Sequence, residues 1–335
     1  MKVKINVIEY LRLLRPQGAS ATAVTILIAS IIMGLRDIFL LFILFIIGIL
    51  SHICGFVLNE YIDIEVDKKS KDLQKKPLVS SIIPKQHALL IVFLSALFAY
   101  LLTIFYFQSI YPLIFLSLAF LSGIIYDLFG KKIPGSDVFV AGACFFIFLF
   151  GASVVSIEFT NLIYIVAFSC FFHIIFNNAV EGGLKDIDHD FLAGAKTTAI
   201  RMGVDLKNGK LVITKKFSFF AYSIKVFYIG LVISAGFQPE IKLWQSDNYI
   251  VYLLFIIFTY IVLITLYKFW HPPSFNRKKL IRLFAVHEIF AYFLGPIILV
   301  PLIGYTYVLL LLLIPVFWFM LCNLIIYQKL LQPQV

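Results

Sequence analysis

The sequence predicts an all-α fold, a polytopic membrane bundle of nine or ten transmembrane helices. Its mean hydropathy is +0.99, 61% of its 335 residues are hydrophobic and only 14% are charged. Soluble domains do not have this composition. The apolar runs are also close to the roughly 20 residues that a helix needs to cross a bilayer core. The chain is therefore expected to be an integral membrane protein.

Eight separate apolar runs precede one long one. The predicted spans are 19–35, 38–58, 87–107, 110–126, 137–156, 161–180, 217–236 and 249–268. The last run, 283–328, is too long for one crossing at about 1.5 Å per residue, and Pro296, Pro301 and Gly304 offer places to turn. Residues 1–15 are expected to form an amphipathic segment on the membrane surface, with no cleavable signal peptide. Residues 1–335 are expected to form a single domain.

The basic residues lie mainly on one side of this predicted topology. The segment before the first span holds four Lys and Arg residues, and the loops after the second, fourth, sixth and eighth spans hold six, two, seven and five, together 24 of the 28. By the positive-inside rule this side is predicted to be cytoplasmic, together with the N-terminus. The net charge of +10 is explained by this topology and by attraction to anionic membrane lipids. No nucleic acid partner is expected.

Two acidic stretches follow even-numbered spans and so fall on the same predicted side. If the second span continues as a helix, Asn59, Asp63 and Asp67 stand at positions i, i+4 and i+8 and share one face. Asp186 and Asp190 repeat the i, i+4 spacing after the sixth span. Carboxylates beside a bilayer core are costly, so they indicate function. The sequence thus predicts two rows of carboxylates at the cytoplasmic edge of the membrane.

Such rows suit a divalent cation. Like charges at this spacing repel one another unless a cation neutralises them, and hard oxygen ligands are typical of Mg²⁺, which commonly bridges protein carboxylates to a substrate's phosphate oxygens. A single DxxxD is more often a solvated helix end than a metal site, and it is the second copy that favours the metal. Nearby lysines complete a set suited to a lipid diphosphate.

The chain resembles a known family at these positions. Residues 59–67, NEYIDIEVD, look like the NDxxDxxxD signature of the UbiA superfamily of intramembrane prenyltransferases, and residues 185–203, KDIDHDFLAGAKTTAIRMG, are similar to its second signature. Arg15-Pro16, Lys76-Pro77-Leu78 and Tyr126 with Lys131 match further elements of the pattern. The resemblance covers residues 10 to about 205. Glu60 and Lys76 depart from it, standing where the family usually has Asp and Arg.

The resemblance implies Mg²⁺-dependent transfer of an isoprenyl chain from a prenyl diphosphate to a hydrophobic or aromatic acceptor, of the quinone-precursor or archaeal ether-lipid type. It implies a central cavity that opens to the cytoplasmic side. The implied metal ligands are Asn59, Asp63, Asp67, Asp186 and Asp190, and the four aspartates are also counted as catalytic, together with Tyr126. Asn59, Lys76, Lys131 and Lys185 are expected to contact the diphosphate.

An ion-coupled membrane transporter is the alternative function, since its intramembrane carboxylates would bind ions or substrate. The acids here cluster at one face and not at the bilayer midplane, which favours the enzyme. Other polar residues near the apolar runs have more modest expectations. The pair His287-Glu288 is expected to mark a helix start at the cytoplasmic surface, and Asn177, Asn178 and Glu181 line the approach to the second motif.

Overall fold

The computed structural model describes residues 2–69, 73–270 and 274–330. Helices dominate the described part of the chain. They are α1 (Lys2–Leu14), α2 (Pro16–Ile32), α3 (Ile38–Ile62), α4 (Ile64–Asp67), α5 (Lys85–Tyr106), α6 (Ile110–Phe129), α7 (Asp137–Ser153), α8 (Asn161–Ile175), α9 (Gly183–Lys185), α10 (Ile187–Ala193), α11 (Thr198–Arg201), α12 (Lys215–Gly236), α13 (Tyr249–Trp270), α14 (Arg277–Ile298) and α15 (Val300–Tyr327).

The helix lengths agree with a protein that crosses a membrane many times. Among the described residues, eight helical segments are long and apolar enough to span, by length and composition: α3, α5, α6, α8 with its continuation to Lys185, and α12 to α15. Helices α2 and α7 are apolar and shorter, with 17 residues each. The predicted helical membrane bundle is confirmed.

The helix that carries the second acidic stretch is not a regular α-helix. A π-helical segment, Phe176–Gly182, continues α8, and the helix ends near Asp186, whose φ of −100° and ψ of 8° depart from helical geometry. A π-helical turn accommodates extra residues and changes which side chains face the helix neighbours, and such turns are frequent at functional sites. Regular α-helical geometry is therefore interrupted between Phe176 and Ile187.

A short β-hairpin is the exception to the predicted all-α fold. Strands β1 (Asp205–Lys207) and β2 (Lys210–Val212) pair antiparallel. Asn208 and Gly209 join them with φ values of 51° and 71°. An Asn-Gly pair favours this two-residue turn because both residues tolerate a positive φ. The Asn-Gly pair is thus a hairpin signal that the analysis of apolar runs does not detect.

The long C-terminal run divides into two helices, as its length predicted. Helix α14 ends at Ile298 and α15 begins at Val300, and Gly304 leaves helical geometry with a φ of 79°. The expectation for His287-Glu288 was wrong: the pair lies halfway along α14, and His287 is 0% exposed. The helix starts earlier than predicted because Asn276 caps it, accepting a hydrogen bond from the backbone of Lys279 at 3.0 Å.

The chain divides into two compact units, and neither is continuous in sequence. Unit 1 comprises Met1–Leu128, Phe146–Glu158 and Leu313–Val335, and unit 2 comprises Phe129–Phe145 and Phe159–Leu312. In unit 2, α8 packs against α12 and α13 against α14, around a core that includes Phe176, Phe217 and Phe269.

Small residues bring helices together in unit 1. A Cβ atom on Gly48 of α3 would lie 2.3 Å from the Cα atom of Ala23 in α2, and one on Gly151 of α7 would lie 2.4 Å from the carbonyl oxygen of Ile26. Close backbone approach of this kind is typical of helix packing in membranes. The C-terminal helix joins the same unit, since Trp318 donates a hydrogen bond from Nε1 to the carbonyl of Pro16 at 2.6 Å.

Replacing Gly48 by Ala should push α2 and α3 apart. We expect a loss of about 1–3 kcal/mol in the free energy of unfolding, as for other overpacked sites, measured by denaturant titration in detergent micelles. Gly55 lies on the same helix, and a Cβ atom added there would meet no atom within 4 Å, so Gly55→Ala is the matched control. Equal stability of the two variants would contradict the packing described for α2 and α3.

Candidate functional site

The first acidic stretch keeps the helical spacing that the sequence predicted. The backbone N–H of Asp63 donates to the carbonyl of Asn59 and that of Asp67 donates to the carbonyl of Asp63, both at 2.9 Å. Helix α3 ends at Ile62 and α4 begins at Ile64, yet these i to i+4 bonds bridge the junction. Asn59, Asp63 and Asp67 therefore follow one another at one-turn intervals.

The Asn59 side chain has a partner that sequence reasoning missed. Its Nδ2 atom donates to Oδ1 of Asp127 at 3.0 Å. Asp127 lies near the end of α6, directly after Tyr126. A carboxylate that accepts from the amide nitrogen fixes which way the amide oxygen points, as outer hydrogen-bond partners do for metal ligands. The sequence does show Asp127 as a single acidic residue at the end of an apolar run, directly after the predicted site residue Tyr126.

Cations hold the buried carboxylates of the first stretch. Lys76 Nζ lies 2.7 Å from Asp67 Oδ2 and 3.0 Å from Glu60 Oε1, and Arg15 pairs with the same oxygen of Glu60. Asp67 is 2% exposed and Glu60 5%. His52 Nε2 lies 3.1 Å from the carbonyl oxygen of Arg15, at the turn before α2. Carboxylates this buried require such partners.

Glu65 is the exposed member of the first acidic stretch. Its side chain is 71% exposed and pairs with Lys68 at 2.8 Å and with Lys85 at 3.6 Å. The hydrogen bond from Lys68 lowers the pKa of the Glu65 carboxyl below its usual range. Exposed pairs of this kind contribute little to stability.

The second acidic stretch also keeps its i, i+4 spacing, although α10 is a new helix. The backbone N–H of Asp190 donates to the carbonyl of Asp186 at 2.9 Å. Asp186 stands at the N-terminal end of α10, and Asp190 is 8% exposed. Gly194 ends this helix with a φ of 70°, a conformation that favours glycine. Gly194 of the second signature is therefore favoured because its backbone adopts the conformation that ends α10.

Arg277 is the main partner of the second stretch, and nothing in the sequence pattern indicates it. Its Nη2 atom pairs with Asp186 Oδ1, and its Nη1 atom contacts the imidazole of His189 at 2.7 Å. It comes from the first turn of α14, 91 residues further along the chain. Lys185 adds a second cation, with Nζ 3.4 Å from Asp186 Oδ2. Asp186 is thus held between two positive side chains.

Thr198, which follows Thr197 in the second signature, belongs to a polar cluster with Asp137. The Thr198 hydroxyl donates to Asp137, Asn178 Nδ2 donates to Asp137 at 2.7 Å, and the backbone N–H of Gly135 donates to Thr198 Oγ1 at 3.1 Å. Thr198, Asp137 and Gly135 border a cavity of about 320 Å³. Asn178, expected near the second motif, thus anchors the start of α7.

The remaining predicted site residues lie in different units. Tyr126 is a partly exposed residue of α6 in unit 1. Lys131 belongs to unit 2, where its carbonyl accepts from the backbone N–H of Lys196 at 2.9 Å. This bond joins the loop after α6 to the loop that follows Gly194. Lys131 is therefore held beside the second signature by its backbone.

The donor set of both stretches consists of oxygen atoms from carboxylates and one amide. Asn59, Asp63 and Asp67 supply it in unit 1, and Asp186 and Asp190 supply it in unit 2. Hard divalent cations such as Mg²⁺ prefer these ligands. Lysine and arginine side chains lie against the same carboxylates and can also contact phosphate oxygens.

Comparison with known proteins identifies the fold and the family. A sequence model described as the UbiA prenyltransferase family matches residues 20–284. No curated protein matches the chain. The chain is similar to a solved structure of digeranylgeranylglyceryl phosphate synthase in membranes, at 19% identity and a TM-score of 0.64, over 89% of this chain and 99% of that one.

Two structures of UbiA homologues are similar as well. A homologue from Archaeoglobus fulgidus, bound to DMAPP and Mg²⁺, has 18% identity and a TM-score of 0.61, over 86% of this chain and 99% of that one. An apo homologue from Aeropyrum pernix K1 has 12% identity and a TM-score of 0.63, over 88% and 98%. The family predicted from the two signatures is confirmed, and with it the predicted enzyme class, a prenyltransferase.

Removing Lys76 should take away the ammonium group that lies 2.7 Å from the buried Asp67 carboxylate. We expect Lys76→Met to cost about 3 kcal/mol in the free energy of unfolding, because breaking a buried ion pair strands a charge. The second substitution in Lys76→Met/Asp67→Asn removes that charge and should restore most of the loss. Unfolding in detergent micelles gives the measurement.

Lys85→Met is the matched control for this cycle. The ion pair between Lys85 and Glu65 joins two exposed side chains at 3.6 Å. Lys85→Met should therefore lower the free energy of unfolding by less than about 1 kcal/mol. A Lys76 variant as stable as the Lys85 variant would show that the network around Asp67 does not need its lysine.

Proposed function

The chain belongs to the UbiA prenyltransferase family, and from this premise we propose that it is a Mg²⁺-dependent enzyme that moves an isoprenyl chain from a prenyl diphosphate. The acceptor is a quinone precursor or a lipid of the archaeal ether type, and diphosphate is released. The observation that carries the proposal is the retention of both Asp-x-x-x-Asp stretches in helical register, each paired with basic side chains.

The residues present fit a magnesium site. Asn59, Asp63 and Asp67 offer an amide and two carboxylates on successive turns of one helix path, and Asp186 and Asp190 offer two more carboxylates. The hydrogen bond from Asn59 to Asp127 orients the Asn59 amide. Binding of DMAPP and Mg²⁺ by the Archaeoglobus fulgidus homologue supports the same assignment here.

The chain's own residues support the departure of diphosphate in three ways. Lys76, Lys131 and Lys185 contact its oxygens, where charge-assisted hydrogen bonds are strong. When bound, Mg²⁺ stabilises the negative charge that develops on the leaving group. Apolar helices exclude water from the allyl cation until the acceptor reaches it. Tyr126, next to Asp127, contacts the diphosphate or the acceptor.

The basic side chains have a second task in this proposal. Lys76 lies 2.7 Å from Asp67, and Lys185 lies 3.4 Å from Asp186. With a divalent ion held by these carboxylates, Lys76 and Lys185 would no longer be needed to neutralise them and their ammonium groups would be available to the anionic substrate. Positive charge is thus redistributed within the site, and no carboxylate is left without a partner.

The acceptor is the finer part of the proposal. Likeness to the structure of digeranylgeranylglyceryl phosphate synthase supports a glyceryl phosphate lipid, and the family match alone is equally consistent with an aromatic quinone precursor. Both acceptors are amphipathic. Either would enter with its polar end at the membrane surface and its reacting atom near the site.

The experiment that tests this function supplies purified protein with labelled prenyl diphosphates of several chain lengths and with acceptors of both classes. We expect transfer to one class, with release of diphosphate, in the presence of Mg²⁺. Chelation by EDTA should abolish transfer, and added Mg²⁺ should restore it. Chelator-insensitive transfer would refute the metal assignment, and no transfer to either class would refute the acceptor proposal.

Aspartate variants provide the control for the same assay. Asp63→Asn and Asp186→Asn should each lower the rate by at least about 100-fold, because each removes a charged ligand from the site that stabilises the leaving group. Glu65→Gln, in the same stretch as Asp63 but 71% exposed, should retain full activity. Normal turnover by either aspartate variant would exclude that residue from catalysis.

We further propose that both units form one enzymatic domain, that the protein lies in the cell membrane, and that the chain crosses it ten times with both ends in the cytoplasm. The charge distribution supports this orientation. Helices α1 and α15 also meet within unit 1, since the Arg12 guanidinium is 5.8 Å from the centre of the Tyr327 ring. Ends on one side of a membrane require an even number of crossings.

Cysteine labelling tests the orientation. Single cysteines replacing Lys68, at 47% side-chain exposure, and Lys329 should react with a membrane-impermeant reagent only from the cytoplasmic side of oriented vesicles. A cysteine replacing Lys242, between α12 and α13, should react only from the opposite side. Labelling of positions 68 and 329 from different sides would leave nine crossings.

A further inference from the structure

A cluster of charged side chains lies inside unit 2, well away from helix ends. Glu181 of the π-helical segment, Lys225 of α12 and His287 of α14 are between 0% and 4% exposed. Glu288, the next residue of α14, has a side chain 19% exposed. None of them belongs to the two acidic stretches. Ionisable groups inside a membrane are costly to hold, so they indicate a function.

The open edge of this cluster is well satisfied. Glu288 Oε2 accepts a hydrogen bond from Asn177 Nδ2 at 2.8 Å and lies 3.1 Å from His173 Nε2. Asn177 is exposed. The edge of the cluster at Glu288 is therefore fixed in place and reachable by a small ion or by water.

The buried interior of the cluster is not satisfied. His287 Nε2, Glu181 Oε1 and Glu288 Oε1 are all buried, and within the described residues none has a hydrogen bond partner. Lys225 does not donate the missing hydrogen bonds. Its Nζ atom lies 3.6 Å above the ring centre of Phe176 and also lacks a hydrogen bond partner. Buried polar groups without partners are rare and need an explanation.

The hydrogen bonds of His287 determine what its free nitrogen offers. Thr265 Oγ1 lies 2.8 Å from the carbonyl of Ile261 and 2.9 Å from that of Val262, and we assign its single hydroxyl proton to these backbone acceptors. Thr265 Oγ1 therefore accepts from His287 Nδ1, 2.8 Å away. The neutral imidazole then presents a lone pair at Nε2. A hydrogen bond of this kind on the other ring nitrogen is typical of metal-binding histidines.

Three ligand atoms converge on one point. One nitrogen of His287 and one carboxylate oxygen from each of Glu181 and Glu288 lie within 4.8 Å of one another. All three are electron-pair donors when the carboxyl groups are ionised and the imidazole is neutral. We propose that these three residues form a second metal site, which binds one divalent first-row transition ion such as Zn²⁺ or Mn²⁺.

The ligand types determine which ion the site prefers. Imidazole favours transition ions, whereas Mg²⁺ prefers oxygen ligands throughout and retains several waters. The charge count does not oppose binding: two carboxylates and Lys225 sum to −1 when the histidines are neutral, and a divalent ion changes this to +1. Three protein ligands leave a fourth position open for water or for a polar group of a ligand.

This site would join the π-helical segment to α14. Glu181 lies five residues before Asp186, and α14 also supplies Arg277, the partner of Asp186. An ion shared by both elements would fix the base on which the second acidic stretch is built. The inference does not rest on the proposed reaction, because it uses no substrate and none of the proposed Mg²⁺ ligands.

The test measures metal binding directly. Protein stripped with chelator is titrated with Co²⁺ or Zn²⁺ in the presence of millimolar Mg²⁺, which occupies the oxygen-only sites. We expect one transition ion per chain to remain bound after desalting, with Co²⁺ giving visible absorption bands of a nitrogen-containing site. The variant Asp63→Asn/Asp186→Asn should hold the same ion, which separates this site from the proposed Mg²⁺ ligands.

Variants of the cluster complete the experiment. His287→Ala and Glu181→Gln should lose the ion. The milder Thr265→Val keeps the ligands and removes the orienting hydrogen bond, so its affinity should fall about 10- to 100-fold. His87→Ala, at an exposed histidine bonded to Tyr10, is the control that should bind normally.

Two results would overturn the proposal. One is wild-type protein that retains no ion in the presence of Mg²⁺, which would mean that Glu181 and Glu288 share a proton in place of a metal. The other is a folded His287→Ala or Thr265→Val variant, monodisperse in gel filtration, that binds the ion as tightly as the wild type.

Discussion

The buried carboxylates Asp67 and Glu60 need positive partners, and this need shapes the first acidic stretch, while a partly exposed carboxylate is paired with a cation in the second. Lys76 reaches Asp67 and Glu60 at once, and Arg277 reaches Asp186 from another helix. The cost of leaving one such charge unpaired is several kcal/mol, a large share of the stability of an ordinary domain. The loop that carries Lys76 and the first turn of α14 are therefore held where the chemistry needs cations.

The spacing of the site was predictable because it is local. Backbone hydrogen bonds from Asp63 to Asn59 and from Asp190 to Asp186 carry the i, i+4 register across helix ends that the sequence does not mark. The cations were not predictable in the same way. Arg277 lies 91 residues from Asp186 and Arg15 lies 45 from Glu60, and no periodic pattern relates residues so far apart. Lys76 lies only nine residues from Asp67, and both its closeness in sequence and the resemblance to a family suggested it.

The fold was predicted best where hydrophobicity alone decides it. The apolar runs indicated the long helices, because length and composition suffice to recognise a span. They misplaced the start of α14, whose first turns contain Arg277 and other basic residues, and so they set His287-Glu288 at a helix start. The apolar runs also gave no indication of the hairpin at Asn208-Gly209 or of the π-helical segment before Asp186. Turn chemistry signalled the hairpin, whereas the π-helical geometry depends on tertiary packing.

Two kinds of carboxylate result from this arrangement, and they differ in how their charge is met. Asp67 and Asp186 lie at helix ends and are paired with lysine and arginine side chains, whose flexible stems would let a metal ion or a phosphate exchange with them in the proposed reaction. Glu181 is 4% exposed, and Lys225 beside it is stacked on Phe176, with no hydrogen bond partner among the described residues. A buried carboxylate is not satisfied by a lysine that forms no hydrogen bond with it. In the proposed enzyme, exchange of cations is therefore expected at the helix ends, and the interior cluster is where we propose a separate ion.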